Sequence, residues 1–159
     1  MEISSPRTIL RSPWLLLLVA LVPVVFLLTG CSGNTNPSSN DLSKMAPISE
    51  MPQEIQQAPT TVQETYQFAI VNPGALKNVP CYCGCGSVGH TSNYACYVKE
   101  IKSSGEIVYD QHALGCSICV DIAQDVMKMT KDGKSSQEIR VAIDQTYAQY
   151  GPSNMPPTR

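Results

Sequence analysis

The stretch CSICVDIAQDVMKMTKDGKSSQEIRVAIDQTYAQYG, residues 116–151, predicts the dominant part of the fold. In its first half, residues 117–131, apolar side chains repeat at helical spacing, and Gly133 stands where a helix C-cap is expected. Ser135 followed by Glu138 matches a capping box, so a second helix is predicted to begin there. Because the connection between the two helices is short, we expect them to pack antiparallel as a hairpin.

Upstream of this hairpin the sequence predicts shorter elements around an irregular loop. Residues 61–71 have the apolar spacing of a helix. Residues 81–95 carry three glycines and read as an irregular, cysteine-rich loop. Residues 97–101 and 106–109, which flank Lys-Ser-Ser-Gly, predict one short β-hairpin. The predicted fold class is therefore mainly α, a small single domain with a C-terminal helix hairpin, a Cys-rich loop and one short β-hairpin.

The N-terminus is typical of an exported bacterial lipoprotein. Two arginines precede an apolar run at residues 14–28, which is shorter than the roughly 20 residues of a membrane-spanning helix. Leu-Thr-Gly-Cys at residues 28–31 resembles a lipobox, in which the cysteine is lipidated and becomes the first residue after cleavage. We therefore predict a lipoprotein signal peptide at residues 1–30, with an uncleaved signal anchor as the alternative. Lipidation of Cys31 would place the protein outside the cytoplasm, lipid-anchored at the cell membrane.

Composition divides the rest of the chain into three parts. Residues 31–60 contain four prolines and no aromatic residue, which predicts a lipidated, disordered tether. Residues 61–151 are predicted to form the Cys-rich domain, and about 90 residues are too few for a doubly wound nucleotide-binding domain or a (β/α) barrel. Residues 152–159 predict a flexible tail.

The net charge and the lack of known catalytic motifs argue against two classes of function, nucleic-acid binding and catalysis. The formal net charge is −2 and the sequence contains no basic run, which argues against a nucleic-acid partner. The sequence also lacks a Ser-His-Asp arrangement, a phosphate loop and an H-E-x-x-H signature. We therefore expect a binding protein and not an enzyme.

Cysteine is the unusual component, because six of the seven cysteines lie between residues 81 and 119. Three of them alternate at the start of the loop, so their side chains share one face of an extended chain. The glycine before the third allows the backbone to curl, which lets the sulfur atoms converge. Two more open the first helix of the hairpin, where the helix dipole favours the thiolate. The candidate metal ligands are Cys81, Cys83, Cys85, His90, Cys96, His112, Cys116 and Cys119.

Three hypotheses account for these residues. In the first, thiolates and imidazoles bind a soft metal, with Cu(I) preferred for clustered thiolates and zinc as the alternative. In the second, three disulfides stabilise an extracytoplasmic interaction module, although alternate thiols make an inefficient framework and leave both histidines unexplained. In the third, Cys116-x-x-Cys119 is a thiol–disulfide oxidoreductase pair that assists metalloprotein maturation. The metal hypothesis is preferred because it uses the whole set.

The metal hypothesis leads to an expected function. A membrane-anchored protein of this kind would buffer Cu(I) or deliver it to a membrane copper protein, an oxidase or a transporter. Cys81, Cys83 and Cys85 would be the primary ligands. The remaining candidates would complete the site, and they are His112, Cys116 and Cys119, with Cys96 and His90 in addition.

The predicted domain contains several short motifs, namely Pro-Cys-Tyr-Cys-Gly-Cys at residues 80–85, Gly-His at 89–90, Cys96, Asp-x-His at 110–112 and Cys-x-x-Cys-Val-Asp at 116–121. Together they resemble the motifs of the PCYCGC-motif lipoproteins. The resemblance extends over the predicted domain and agrees with the lipobox. It implies an exported bacterial lipoprotein with a shared cysteine site, and the family name records a motif, not a function.

Overall fold

The structure is a computed structural model that describes residues 44–157. The predicted signal peptide, Cys31 and most of the predicted tether lie outside the described residues, as do residues 158–159. The helices are α1 (Gln53–Gln56), α2 (Thr60–Val71), α3 (Pro73–Lys77), α4 (Ser117–Lys131) and α5 (Ser136–Tyr147). Strands β1 (Val98–Ile101) and β2 (Ile107–Tyr109) form an antiparallel sheet, and 3-10 turns cover Ile48–Glu50, Cys85–Val88, Asn93–Cys96 and His112–Leu114. The prediction of a mainly α, small single domain is confirmed.

Helices α4 and α5 form the C-terminal hairpin that the sequence predicts. Ile122 of α4 and Ile143 of α5 are almost fully buried, so the apolar stripes of both helices face the core. Gly133 ends α4 with a φ of +73°, and the Lys134 N–H donates to the Met129 carbonyl oxygen at 3.0 Å. This is the hydrogen bond of a Schellman motif, and it reverses the chain within a few residues.

The remaining core lies where α2, α3 and the second half of the loop pack against α4. Tyr66 and Phe68 of α2 and Leu76 of α3 are at most 2% exposed. The Tyr66 ring meets the Tyr97 ring edge to face, with their centroids 5.0 Å apart. These aromatic contacts bring the cysteine-rich loop against the first helix of the hairpin.

The predicted β-hairpin is present and has a positional role. Val98 pairs with Tyr109 and Ile101 pairs with Ile107, so the chain leaves the loop along β1 and returns beside it along β2. Cys96 lies just before the hairpin and His112 just after it. Strand pairing therefore brings two segments that are distant in sequence to the same end of α4.

The folded part of the chain begins earlier than the sequence predicts. Residues 44–60 fall in the predicted tether, yet Ala46, Met51 and Ile55 of this segment are 6%, 4% and 1% exposed. The Ala46 N–H donates to the Gln67 carbonyl oxygen at 3.0 Å, which ties the segment to α2. Its prolines do not indicate disorder, because they occupy the N-cap positions of the 3-10 turn at 48–50, of α1 and of α2.

The C-terminal segment also differs from the predicted flexible tail, since Asn154, Met155 and Pro156 contact the domain. Arg140 is 6% exposed, and one of its terminal nitrogens donates to the Pro156 carbonyl oxygen at 2.7 Å. The same guanidinium donates to Asp144 at 2.9 Å, which fixes its direction. Among the described residues, none of the helices is long and apolar enough to cross a membrane.

Replacing Ile55 tests whether the segment before α2 belongs to the domain. Because the side chain is 1% exposed, Ile55→Ala is expected to lower the free energy of unfolding by about 2–5 kcal/mol. Val141→Ala is the control, since Val141 is 39% exposed and its truncation should cost less than about 0.5 kcal/mol. Urea unfolding measures the stability of both variants. Equal free energies of unfolding would show that the segment before α2 contributes no more to the folded domain than a surface position, as expected of a tether.

The capping box of α5 makes a second stability prediction. The Glu138 N–H donates to the Ser135 hydroxyl oxygen at 3.3 Å, and the Glu138 carboxylate accepts from the Ser135 N–H at 2.8 Å. Ser135→Ala is therefore expected to destabilise the protein by about 1 kcal/mol. Ser136→Ala is the matched control, because Ser136 contributes a backbone carbonyl oxygen to Asn78 that alanine retains. Thermal or urea unfolding that failed to separate the two variants would contradict the prediction.

Candidate metal centre

The three alternate thiols of the loop point to one centre. The sulfur atoms of Cys81, Cys83 and Cys85 all lie within 4.8 Å of one another. Gly84 turns the chain between the second and third thiol with a φ of +84°, a left-handed conformation that favours glycine. The structure therefore brings these sulfur atoms together by the backbone curl that the Gly84 position predicts.

The two cysteines of the Cys-x-x-Cys motif lie at the start of α4 and contribute their sulfur atoms to the same centre. Cys116 is the N-cap residue of this helix, and Cys119 lies in its first turn with its side chain fully buried. The Cys119 Sγ is 3.1 Å from the Cys81 Sγ and 3.6 Å from the Cys83 Sγ. The hairpin helix and the loop thus meet through sulfur atoms.

Cys96 connects the two ends of the cluster. It closes the 3-10 turn Asn93–Cys96 and is fully buried. Its Sγ lies 3.4 Å from the Cys119 Sγ and 3.9 Å from the Cys85 Sγ. All six cysteines of the described region are free thiols, and their sulfur atoms form a continuous set.

Both histidines reach this set of sulfur atoms. The His112 Nε2 is 3.4 Å from the Cys83 Sγ, and the His90 Nδ1 is 3.5 Å from the Cys96 Sγ. The two imidazole rings meet edge to face with centroids 5.0 Å apart. The structure therefore gathers all eight candidate residues, including Cys96 and His90, into one cluster.

Asp110 supports both histidines and was not among the candidate ligands. One carboxylate oxygen is 3.4 Å from the His90 Nε2, and the other accepts the His112 backbone N–H at 2.8 Å. A carboxylate on the second ring nitrogen of a histidine orients the first towards a metal. The Asp-x-His spacing was visible in the sequence, but the contact with His90 depends on the β-hairpin.

Asn154 is a second supporting residue that sequence reasoning missed. Its Oδ1 accepts the Cys81 N–H at 2.7 Å, and its Nδ2 donates to the His90 carbonyl oxygen at 3.0 Å. The same nitrogen lies 3.7 Å from the Cys85 Sγ. No sequence signal identifies this residue, because it lies in a short polar segment without periodicity.

The spacing of the sulfur atoms suits metal thiolates. A disulfide holds its sulfur atoms about 2.05 Å apart. Two thiolates bound to one ion at 2.3 Å and a tetrahedral angle are roughly 3.8 Å apart. The hydrogen-bonded sulfur pairs here are separated by 3.1 to 3.9 Å. These Cys and His side chains can hold a metal ion, and their donor atoms lie in groups whose members are within 4.8 Å of one another.

The thiols differ in how readily they ionise. Hydrogen bonds with Cys119 and Cys96 hold the pKa of the Cys81 thiol far below its usual range. Burial, followed by the charge on Cys81, raises the pKa of the thiols of Cys83 and Cys85. The hydrogen bond to Cys81 also raises the pKa of Cys119. One thiolate is thus stabilised by the protons of its neighbours, and a bound cation would replace those protons.

The fold and the cluster define a class of protein, a small mainly helical domain with a cysteine- and histidine-rich centre able to hold metal. A family described as "Protein of unknown function with PCYCGC motif" matches residues 19–158, and the chain belongs to this family. This confirms the resemblance that the motifs indicated. Comparisons with curated proteins and with solved structures found no match.

The contacts of Asn154 make a prediction about the cluster. Asn154→Ala removes the partners of the Cys81 N–H and the His90 carbonyl oxygen, so we expect a loss of about 1–3 kcal/mol in unfolding free energy. We also expect the Cys85 thiol to react faster with a thiol reagent.

Gln149→Ala is the matched control for this variant. Gln149 is exposed, and its side-chain amide donates to the Thr146 carbonyl oxygen, away from the cluster. Unchanged stability and thiol reactivity in Asn154→Ala would show that the segment makes no contribution to the cluster.

Proposed function

We propose that this protein is a lipid-anchored, extracytoplasmic lipoprotein that binds a soft metal ion, Cu(I) in the first place, through its Cys/His cluster. The observation that carries the proposal is the convergence of six free thiols and two imidazoles on one centre. Thiolate and imidazole ligands select Cu(I) or zinc over hard cations such as Mg²⁺ and Ca²⁺. The nearest carboxylate, Asp110, contacts the histidines instead of entering the set of sulfur atoms.

Copper is favoured by the arrangement of the thiolates. Cu(I) is a soft ion that thiolates hold at low coordination number, and Cys81, Cys83 and Cys119 lie within 3.1 to 3.6 Å of one another. Zinc fits the same donors in groups of four. The choice between the two ions is therefore part of the experiment below.

The burial of the ligands supports a role in buffering or delivery. Cys81, Cys96 and Cys119 are fully buried, whereas Cys83 and Cys116 are partly exposed. His90 and His112 are also partly exposed. Buried thiolates retain an ion, and ligands at the surface allow a partner to take it by exchange of ligands. A membrane copper protein, an oxidase or a transporter, is the partner that we propose.

The N-terminal sequence supports the location. The apolar run and the Leu-Thr-Gly-Cys motif resemble a lipoprotein signal peptide, in which Cys31 would be the lipidated residue. Acyl chains buried in the bilayer contribute about 0.8 kcal/mol per methylene, so two or three chains hold a protein at the membrane. The proposed role is binding and transfer, without a catalysed reaction.

The proposal predicts the metal content of the native protein. The full-length protein is expressed in a bacterial host, purified from the membrane fraction without chelator, and analysed for metal and free thiols. We expect at least about one copper or zinc per chain, with the cluster thiols unoxidised, because clustered thiolates bind these ions tightly. The triple variant Cys81→Ser, Cys83→Ser, Cys85→Ser should contain no bound metal.

The seventh cysteine provides the control. Cys31→Ser should retain the metal and lose incorporation of labelled palmitate, because Cys31 is the predicted lipidation site and is not one of the eight candidate metal ligands. A wild-type protein without metal and without free thiols, unchanged after reduction and anaerobic addition of Cu(I), would exclude metal binding. That result would favour the disulfide-stabilised interaction module, and turnover of a disulfide substrate would favour the oxidoreductase.

A further inference from the structure

We propose that the cluster holds two metal ions in adjacent compartments, an inference that rests on the soft-metal binding proposed above. A four-coordinate ion uses four donors, and the structure gathers eight. With a single ion, four thiol or imidazole groups would remain without a metal, and buried sulfur atoms would be among them. The donor atoms form overlapping groups whose members lie within 4.8 Å of one another, and these groups can be shared between two ions with four donors each.

The first set is the outer compartment, and its residues are Cys83, His112, Cys116 and Cys119. Their four donor atoms all lie within 4.8 Å of one another. Three of these residues are partly exposed, and only Cys119 is buried. His112 also lies within 4.8 Å of the donor atoms of Cys85, His90 and Cys96. We assign it to the outer compartment because its Nε2 is 3.4 Å from the Cys83 Sγ and because the outer ion would otherwise have three donors.

Assigning His112 to the outer compartment leaves four donor residues for the inner compartment, and they are Cys81, Cys85, Cys96 and His90. All three of its cysteines are buried. The Cys96 Sγ lies 3.9 Å from the Cys85 Sγ and 3.5 Å from the His90 Nδ1. The Cys81 Sγ is within 4.8 Å of the sulfur atoms of both Cys85 and Cys96.

Each compartment thus contains three thiols and one imidazole. This composition is that of a closed four-ligand site for zinc or a similar soft ion. Two divalent ions such as Zn(II) would neutralise four of the six thiolate charges, whereas one would neutralise two. Two Cu(I) ions would neutralise two of these charges, whereas one would neutralise one. Because uncompensated charge is costly in a buried site, the second ion favours the fully ionised cluster.

Sulfur atoms of the two compartments are in contact with each other. The Cys119 Sγ of the outer compartment is 3.1 Å from the Cys81 Sγ and 3.4 Å from the Cys96 Sγ of the inner one. Thiolates in such contact can be shared by neighbouring ions. Asp110 joins the compartments as well, since its carboxylate lies against the ring of His90 and the backbone N–H of His112. The ions are therefore expected to influence one another.

Titration with ¹¹³Cd(II), a soft ion with a direct NMR signal, tests the proposal. The full-length protein is reduced, freed of metal and titrated anaerobically. We expect two Cd(II) ions per chain and two ¹¹³Cd resonances, each coupled to the ring nitrogen of one ¹⁵N-labelled histidine. Cys116→Ser should lose the outer ion alone, and His90→Gln should lose the inner ion alone, so that each variant binds one Cd(II).

Ser117→Ala is the matched control, because Ser117 adjoins Cys116 and offers no thiol or imidazole, and it should bind two Cd(II). Far-UV circular dichroism shows whether each variant is folded. If a variant is unfolded, the Cd(II) stoichiometry and the number of ¹¹³Cd resonances of the wild-type protein test the proposal without it. One Cd(II) per chain and one resonance in the wild type would overturn the two-ion proposal and leave soft-metal binding intact. No stoichiometric Cd(II), Zn(II) or Cu(I) would overturn both.

Discussion

The sulfur contacts of Cys119 are the interaction on which the rest of the structure depends. Its Sγ lies 3.1 Å from the Cys81 Sγ and 3.4 Å from the Cys96 Sγ, so the first turn of α4 meets two separate parts of the loop at one atom. The Cys119 carbonyl oxygen also accepts a hydrogen bond from the buried Tyr97 hydroxyl at 2.8 Å. Tyr97 packs edge to face on Tyr66 of α2. The cluster and the aromatic core are therefore one packing unit, and a change in either displaces the other.

This coupling has an energetic consequence for a domain of this size. Four of the six cluster thiols are buried, at positions that a larger protein would fill with aliphatic side chains. A domain of about 100 residues has a stability of only several kcal/mol, so its core cannot lose many apolar contacts. Metal ions bound by core thiolates add their binding free energy to folding. Metal binding, if it occurs at these thiols, would therefore stabilise the folded domain.

Most of the local structure could be predicted from the sequence, because each local element depends on residues that are close together in the chain. The periodic apolar stripe of α4, the capping box of Ser135 and the turn at Gly133 each specify their element within a few positions. The structure of residues 44–60 was harder to predict, because proline is common both in tethers and at helix N-termini. Only packing distinguishes the two cases, as the burial of Met51 and Ile55 shows.

The candidate ligands could also be predicted, since cysteine and histidine are identifiable by type. Their grouping could not, because the neighbours of Cys96 and His112 are decided by the β-hairpin and by the position of α4. The supporting residues show the same limit. Asp110 lies two residues from His112, yet it acts on His90, which is twenty positions away. Asn154 bonds to Cys81 across 73 positions of the chain.

Burial differs among the donors of the cluster, and this difference bears on how ions would enter and leave. Cys96 and Cys119 are inaccessible to solvent, whereas Cys83, Cys116 and His112 are partly exposed. An ion bound at the exposed side can exchange a ligand with another protein without unfolding the domain. An ion held by the buried thiols of Cys81, Cys85 and Cys96 would exchange ligands less readily. Asn154 bonds the loop that carries these donors at Cys81 and at His90. The partly exposed donors would then allow fast exchange of an ion with a partner, and the buried thiols would hold an ion more firmly.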